Sequence, residues 1–190
     1  MSTFKALLIS AFGLLSLTLT ANASAEPYSK AMTNFKQAAE SQAFFNTAYG
    51  YAIFPTVGKG GFGIGAAYGE GRVYRGGQLT GESTLTQVSI GFQIGGQAYS
   101  EIIFFKNAEA YNAFTSGSFE FSAQASAVAL NAGASAQVGT TGNSANAGQS
   151  GGNQSTKAAY VNGMAIFTSA KGGLMYEAAI AGQSFSFKPK

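Results

Sequence analysis

The sequence predicts an α+β domain: an N-terminal helical segment followed by an antiparallel β-sheet curled into a barrel or sandwich. Three observations lead there. Apolar residues recur at helical spacing between Glu26 and Thr47, with Tyr28, Met32, Phe35 and Ala39 on one stripe and Lys30, Lys36 and Glu40 off it. From Gly58 to Phe105 the period changes to two, with Gly61, Gly63 and Gly65 opposite Phe62, Ile64, Ala66 and Tyr68, and later Val88, Ile90, Phe92 and Ile94 opposite Ser89, Gly91, Gln93 and Gly95. The composition agrees: 26 Gly, 16 Phe and 9 Tyr, with only 10% charged residues where a typical soluble domain has about 25%, favour sheet over helical bundle. A chain of 190 residues has the length of one domain.

Taken in order, Met1 to Ala25 reads as a secretory signal peptide. Lys5 supplies the positive start, Ala6 to Thr20 an uncharged apolar run, and Ala21-Asn22-Ala23 and Ala23-Ser24-Ala25 two small-x-small cleavage sites. Cleavage after Ala25 is expected, with Ala23 as the alternative; an uncleaved anchor would need about 20 apolar residues, longer than this run. Residues 26–190 then form a single domain. Its first helix opens with Pro27, suited to a first helical turn. Tyr49 to Val57 is an aromatic strand in which Pro55 predicts an edge or a bend. Gly58-Lys59-Gly60-Gly61-Phe62-Gly63 formally matches a dinucleotide fingerprint, but that motif must open a helix, and a Gly-rich strand pattern follows it. The glycine-only strand face predicts that another backbone or an aromatic ring lies directly on it. Turns are expected at Gly76-Gly77 and near Gly81, and the Val88–Ile94 parity is expected to face a core. Asn107 is placed to cap a short helix through Phe114. Strand character returns over Phe119 to Gly133. Residues 137–156 are low-complexity Gly, Ser, Asn, Gln, Thr and Ala and read as a flexible loop. Two closing strands within Tyr160 to Phe187 are expected to form a hairpin through Lys171-Gly172-Gly173.

The absences bound the chemistry. The sequence has no His, Cys, Trp or Asp, so it lacks the commonest general base and metal ligand, thiolate nucleophiles and disulfides, and the usual triad carboxylate. Six glutamates lie beyond the helical segment (Glu70, Glu82, Glu101, Glu109, Glu120 and Glu177), and nothing in their spacing selects a glycosidase pair. No catalytic residue, cofactor or metal is therefore expected. A net charge of +3 and a pI near 9.1 are too small and dispersed to indicate nucleic acid, yet they permit attraction to an anionic surface.

Three motifs in order carry a resemblance: GKGGFGIGAAYGEGRVY, VSIGFQIGGQAYSEIIFF and KGGLMYEAAIAGQSF. Together they resemble the SYLF domain family of lipid-binding and, in fungi, actin-binding proteins, over about Ala38 to Phe187. The resemblance implies a non-enzymatic binding module. For eukaryotic members it implies phosphoinositide ligands; for an exported bacterial chain it implies phosphatidylglycerol, cardiolipin or lipopolysaccharide. Several bacterial relatives are lipoproteins, but a chain without cysteine is not one, and an exported chain does not meet actin.

From the residues themselves, Lys59, Arg72, Arg75 and Lys171 are the candidate lipid-binding cations: two lysines in Gly-rich turns and two arginines flanking Val73-Tyr74. The competing reading is that they are solvated turn charges. Tyr28, Met32 and Phe35 are the candidate membrane-inserting face, with packing on the domain core as the competing reading. The expected role is an exported, periplasmic or envelope-associated module with an anionic membrane surface as partner. The alternatives are a structural or protein-interaction envelope protein and a small outer-membrane β-barrel. Oligomeric state is not fixed by any motif.

Overall fold

The structure is a computed structural model, and it describes residues 25–62, 64–90, 95–121, 130–131, 159–171 and 182–190. The expected leader (all but its last residue), the low-complexity stretch 137–156 and the Gly172-Gly173 turn lie outside the described residues. The expected helical segment is present as α1 (25–37), α2 (Ala39–Gln42) and α3 (Phe44–Thr47). Ala38 breaks it with an extended ψ of 125°, and the Ser41 hydroxyl donates to the Phe35 carbonyl at 2.6 Å, satisfying an acceptor that the ended helix leaves open.

The sheet follows: β1 (Gly50–Phe62), β2 (Ile64–Arg75), β3 (Gln78–Ile90), β4 (Gly95–Phe105), β5 (Ser118–Glu120), β6 (Leu130–Asn131), β7 (Met164–Lys171) and β8 (Gln183–Pro189). Between β4 and β5 runs α4 (Ala108–Phe114), capped as expected by Asn107, whose Oδ1 accepts from the Ala110 N–H at 3.0 Å. All eight strands belong to one sheet in the order β5-β8-β3-β2-β1-β4-β7-β6, antiparallel except for β6 with β7. The fold is thus mixed helix and mainly antiparallel sheet. Among the described residues its end strands β5 and β6 do not pair with each other, so neither a closed barrel nor a second sheet is formed, and the outer-membrane-barrel alternative lacks its closure.

The sheet is nevertheless strongly curled. Gln183 on β8 and Glu101 on β4 are four strand spacings apart, about 19 Å in a flat sheet, yet Gln183 Nε2 donates to Glu101 Oε2 at 3.0 Å. The concave face holds one core, with Phe54, Val73, Leu85, Ile103 and Phe185 against Tyr111 and Phe114 of α4. The other face holds a second, in which Phe35 of α1 and Phe44 of α3 meet Ile53, Ile102, Phe104 and Phe167. Aromatic edges fill it: Phe45 stands edge-on to Phe104 at 4.8 Å between centroids.

Three expectations are corrected. Of the edge or bend expected at Pro55, the edge is overturned: Pro55 lies in a central strand, since β1 pairs with both β2 and β4, and the ladder accommodates it by slipping register between Ile53 and Thr56 on one side and Phe54 and Val57 on the other. Gly81 marks no turn: it sits inside β3 opposite Val73, beside the bulge that Thr80 makes. Among the described residues β7 pairs with β4 and β6 while β8 pairs with β3 and β5, on opposite flanks of the sheet; residues 172–181, where the expected hairpin would turn and return, lie outside the described residues. Finally, Val88 is 74% exposed while its polar neighbour Gln87 is buried, the reverse of the expected parity. The reason is that the inner face is lined by the small and polar parity, and large rings fill the space its glycines leave. A Cβ on Gly71, further along the same parity of β2, would lie 2.5 Å from Cδ1 and Cε1 of Phe54. The Gly76-Gly77 turn is as expected, with φ of +56° and +80°, the left-handed geometry of a tight hairpin.

Candidate functional site

Register places the surface groups. On β2 the exposed parity is Ile64, Ala66, Tyr68 and Glu70, followed by half-buried Arg72 and Tyr74, and the pattern alternates strictly with buried Gly65, Ala67, Gly69, Gly71 and Val73. This exposed parity shares its face with the helices: the Arg72 guanidinium stacks 4.1 Å from the Tyr28 ring centroid, and the Tyr28 hydroxyl donates to the Glu70 carbonyl at 3.4 Å. The helices cover only the half of this face nearest Tyr51, Ile53 and Tyr74.

The other half carries exposed groups in rows across the strands. One row runs Lys171, Ala98, Gly58, Tyr68, Thr86; the next runs Gly96, Gly60, Ala66, Val88. Ile64 (67% exposed), Tyr68 (54%) and Val88 lie together at the edge of this region. Between them and Lys171 the floor is glycine: a Cβ on Gly58 would meet nothing within 4 Å. Lys171 Nζ donates to Thr56 Oγ1 at 2.6 Å on the same face. Its ammonium is held below the ordinary lysine range, first by burial and then by the positive charge of Lys30 on α1. The Tyr68 hydroxyl donates to Glu70 Oε1 at 2.9 Å.

A second polar cluster lies on the concave side. Glu101 is fully buried, and burial pushes its carboxyl up to about 8; the Gln183 amide works weakly the other way. Gln183 Nε2 also donates to the Tyr99 hydroxyl at 3.0 Å, and burial, followed by the Glu101 charge, raises that phenol as well. Thr168, also buried, faces Glu101 across the β4–β7 pair. Glu101 Oε1, Gln183 Oε1 and the Ser83 hydroxyl are buried without a hydrogen-bond partner. The pattern fits a carboxyl held neutral at physiological pH. No group of three acidic side chains able to hold a metal occurs among the described residues.

The sequence-predicted cations divide. Arg72 and Lys171 share the helical face, where Lys30 joins them. Arg75 points to the other side, its guanidinium 5.4 Å from the Tyr111 ring of α4. Lys59 also has the concave parity and sits at the opposite end of the sheet; its partner Ala67 is eight positions from Arg75 along β2, about 26 Å. The predicted inserting face is committed elsewhere. Phe35 is completely buried on the sheet, and Tyr28 and Met32 pack beside it, so in this structure that stripe is core, because the sheet offers Ile53, Ile102 and Phe104 to cover it. Sequence reading missed Ile64, Tyr68 and Val88 as a surface because their alternation is that of any half-buried strand; it missed Glu101 and Gln183 because nothing local marks a polar residue as inward. The available signal was Glu101 directly before the apolar IIFF run.

No curated relative matches this chain. The sequence model of the Ysc84 family, described as "Las17-binding protein actin regulator", matches residues 86–189, which covers β4 through β8 and the end of β3. That is more than half of the chain and includes two of its three motifs. The chain belongs to the Ysc84 family, the SYLF domain family that its motifs resemble.

Proposed function

We propose that this chain is an exported, non-enzymatic module that binds anionic phospholipid at the surface of the cell envelope. Membership of the Ysc84 family supports lipid or actin binding in general. The observation that carries the lipid reading is the gathering of Lys30, Arg72 and Lys171 on one face of the sheet, beside a floor of glycine backbone open to an approaching surface. Each cation near an anionic surface contributes about 1 kcal/mol, and salt screens it over about 8 Å at physiological strength. Three such charges give weak, salt-sensitive docking. A sequence without His, Cys or Asp supports the non-enzymatic part.

Flotation of the full chain with phosphatidylglycerol and with phosphatidylcholine vesicles, at low and at physiological salt, tests the reading. Binding to the anionic vesicles only, reduced by salt and abolished by Lys30→Glu with Lys171→Glu while the unfolding temperature holds, is expected. Equal flotation of wild type and variant would overturn the site. Export is tested separately: the protein in an envelope fraction should begin at Glu26 or Ser24. The family description names an actin regulator and so favours a protein partner as the second reading; co-sedimentation with filamentous actin, without vesicle binding, would establish it instead.

A further inference from the structure

We infer that the uncovered half of the helical face is a membrane-docking surface in which Ile64, Tyr68 and Val88 enter the lipid. The inference rests on the lipid reading above and adds which part of the molecule enters. Three large apolar side chains are exposed on adjoining strands: Val88 lies directly opposite Ala66, two positions from both Ile64 and Tyr68 on the same face of β2. A cluster of this kind marks an interaction surface rather than scattered exposure.

The occupant follows from what surrounds the cluster. Lys171 shares the face, in the same cross-strand row as Tyr68, and Lys30 stands near enough to repel its charge. A cationic margin beside an aliphatic tip, with a tyrosine between them, matches the layering of an anionic bilayer: phosphates outermost, an aromatic ring at the interface, hydrocarbon beneath. A second copy of the chain would bring its own lysines into the same contact. The Gly58 and Gly60 floor carries no side chain to hold the lipid surface away, and a Cβ on Gly96 would find only the Lys59 carbonyl, at 3.9 Å. The helix stripe of Tyr28, Met32 and Phe35 cannot enter without leaving the sheet, since Phe35 has no exposed surface.

The sequence has no tryptophan, so a single introduced indole reports its own position. Val88→Trp places it in the cluster; Gln78→Trp places it on an exposed residue at the far end of the same strand. Both full-length variants are mixed with phosphatidylglycerol vesicles carrying brominated acyl chains. Val88→Trp should shift to the blue and be quenched severalfold more than Gln78→Trp. Val88→Ser with Ile64→Ser should weaken vesicle binding at least tenfold with no fall in unfolding temperature, because both positions are exposed. Vesicle binding without quenching of Val88→Trp would overturn the inserting surface and leave the lipid reading standing. No binding by wild type would remove both. A blue shift that appears without vesicles and grows with protein concentration would mean that a second copy occupies the surface, and would overturn the inference.

Discussion

Gln183 Nε2 lies 3.0 Å from Glu101 Oε2, although three strands separate the two residues in the sheet. The contact joins the flanks across the concave side, and its acidic member carries a proton that the unfolded chain would release. A neutral Glu101 persists to about pH 8 in the native state, against an ordinary value of 4.5. Between those values the native protein holds a proton that the unfolded chain has lost, so the contribution of this group to stability is full below pH 4.5 and is lost as pH rises toward 8, by at most about 1.4 kcal/mol per pH unit. Denaturant unfolding from pH 5 to 8 should show this decline, and Glu101→Gln should flatten it. An identical slope in the variant would place the titration elsewhere.

Gly71 and Gly58 predict opposite outcomes for one substitution. Gly71→Ala drives a methyl into the Phe54 ring and the Ile53 carbonyl, and should cost about 1–3 kcal/mol. Gly58→Ala meets nothing and should be neutral or stabilising by up to about 1 kcal/mol, through loss of freedom in the unfolded chain. Combining Gly71→Ala with Phe54→Leu should recover part of the loss that either change makes alone.

Phe35→Ala should destabilise by about 3–5 kcal/mol, the range for a buried phenylalanine. Thermal unfolding checks it. A change below 1 kcal/mol would mean that α1 is not held on the sheet, and would return its apolar stripe to the membrane.

Asn107→Ala should cost about 1 kcal/mol through loss of the cap on the Ala110 N–H. Asn107→Asp should retain most of it, since a carboxylate oxygen accepts the same bond and favours a helix N-terminus. Urea unfolding of the two variants separates the bond from the side chain's size.

What could be read from the chain was local. The helical stripe, the Gly76-Gly77 turn and the Asn107 cap all depend on residues within a few positions of one another, and all appear. What could not be read was set by distant partners. Pro55 suggests an edge or a bend because it lacks an N–H, and only the pairing with β2 and β4 decides between them, with a bulge that lets it sit centrally. Val88 alternates like a core residue, and its exposure follows from helices that end before reaching it. Of the four nominated cations, Arg72 and Lys171 are brought to one face by pairings of β2 and β7 with strands far away in sequence, while Lys30 was visible as a charge without an address. Glu101 needed Gln183, eighty-two residues on, to become part of a cluster.

The separation of β7 from β8 has a kinetic side. Thr86 and Ser184, which share a hydrogen bond across β3 and β8, lie 98 positions apart. That flank cannot form by zipping outward from a turn; it must wait for a long loop to close, and its ordering entropy is lost before any contact repays it. The meander β1 to β3 can assemble early, while β8 and the Phe185 it delivers arrive late. Until then the Phe54 and Phe114 rings that flank Phe185 lack that neighbour. Refolding should therefore be slow for a domain of this size, with a compact intermediate that binds hydrophobic dyes before the final strand docks.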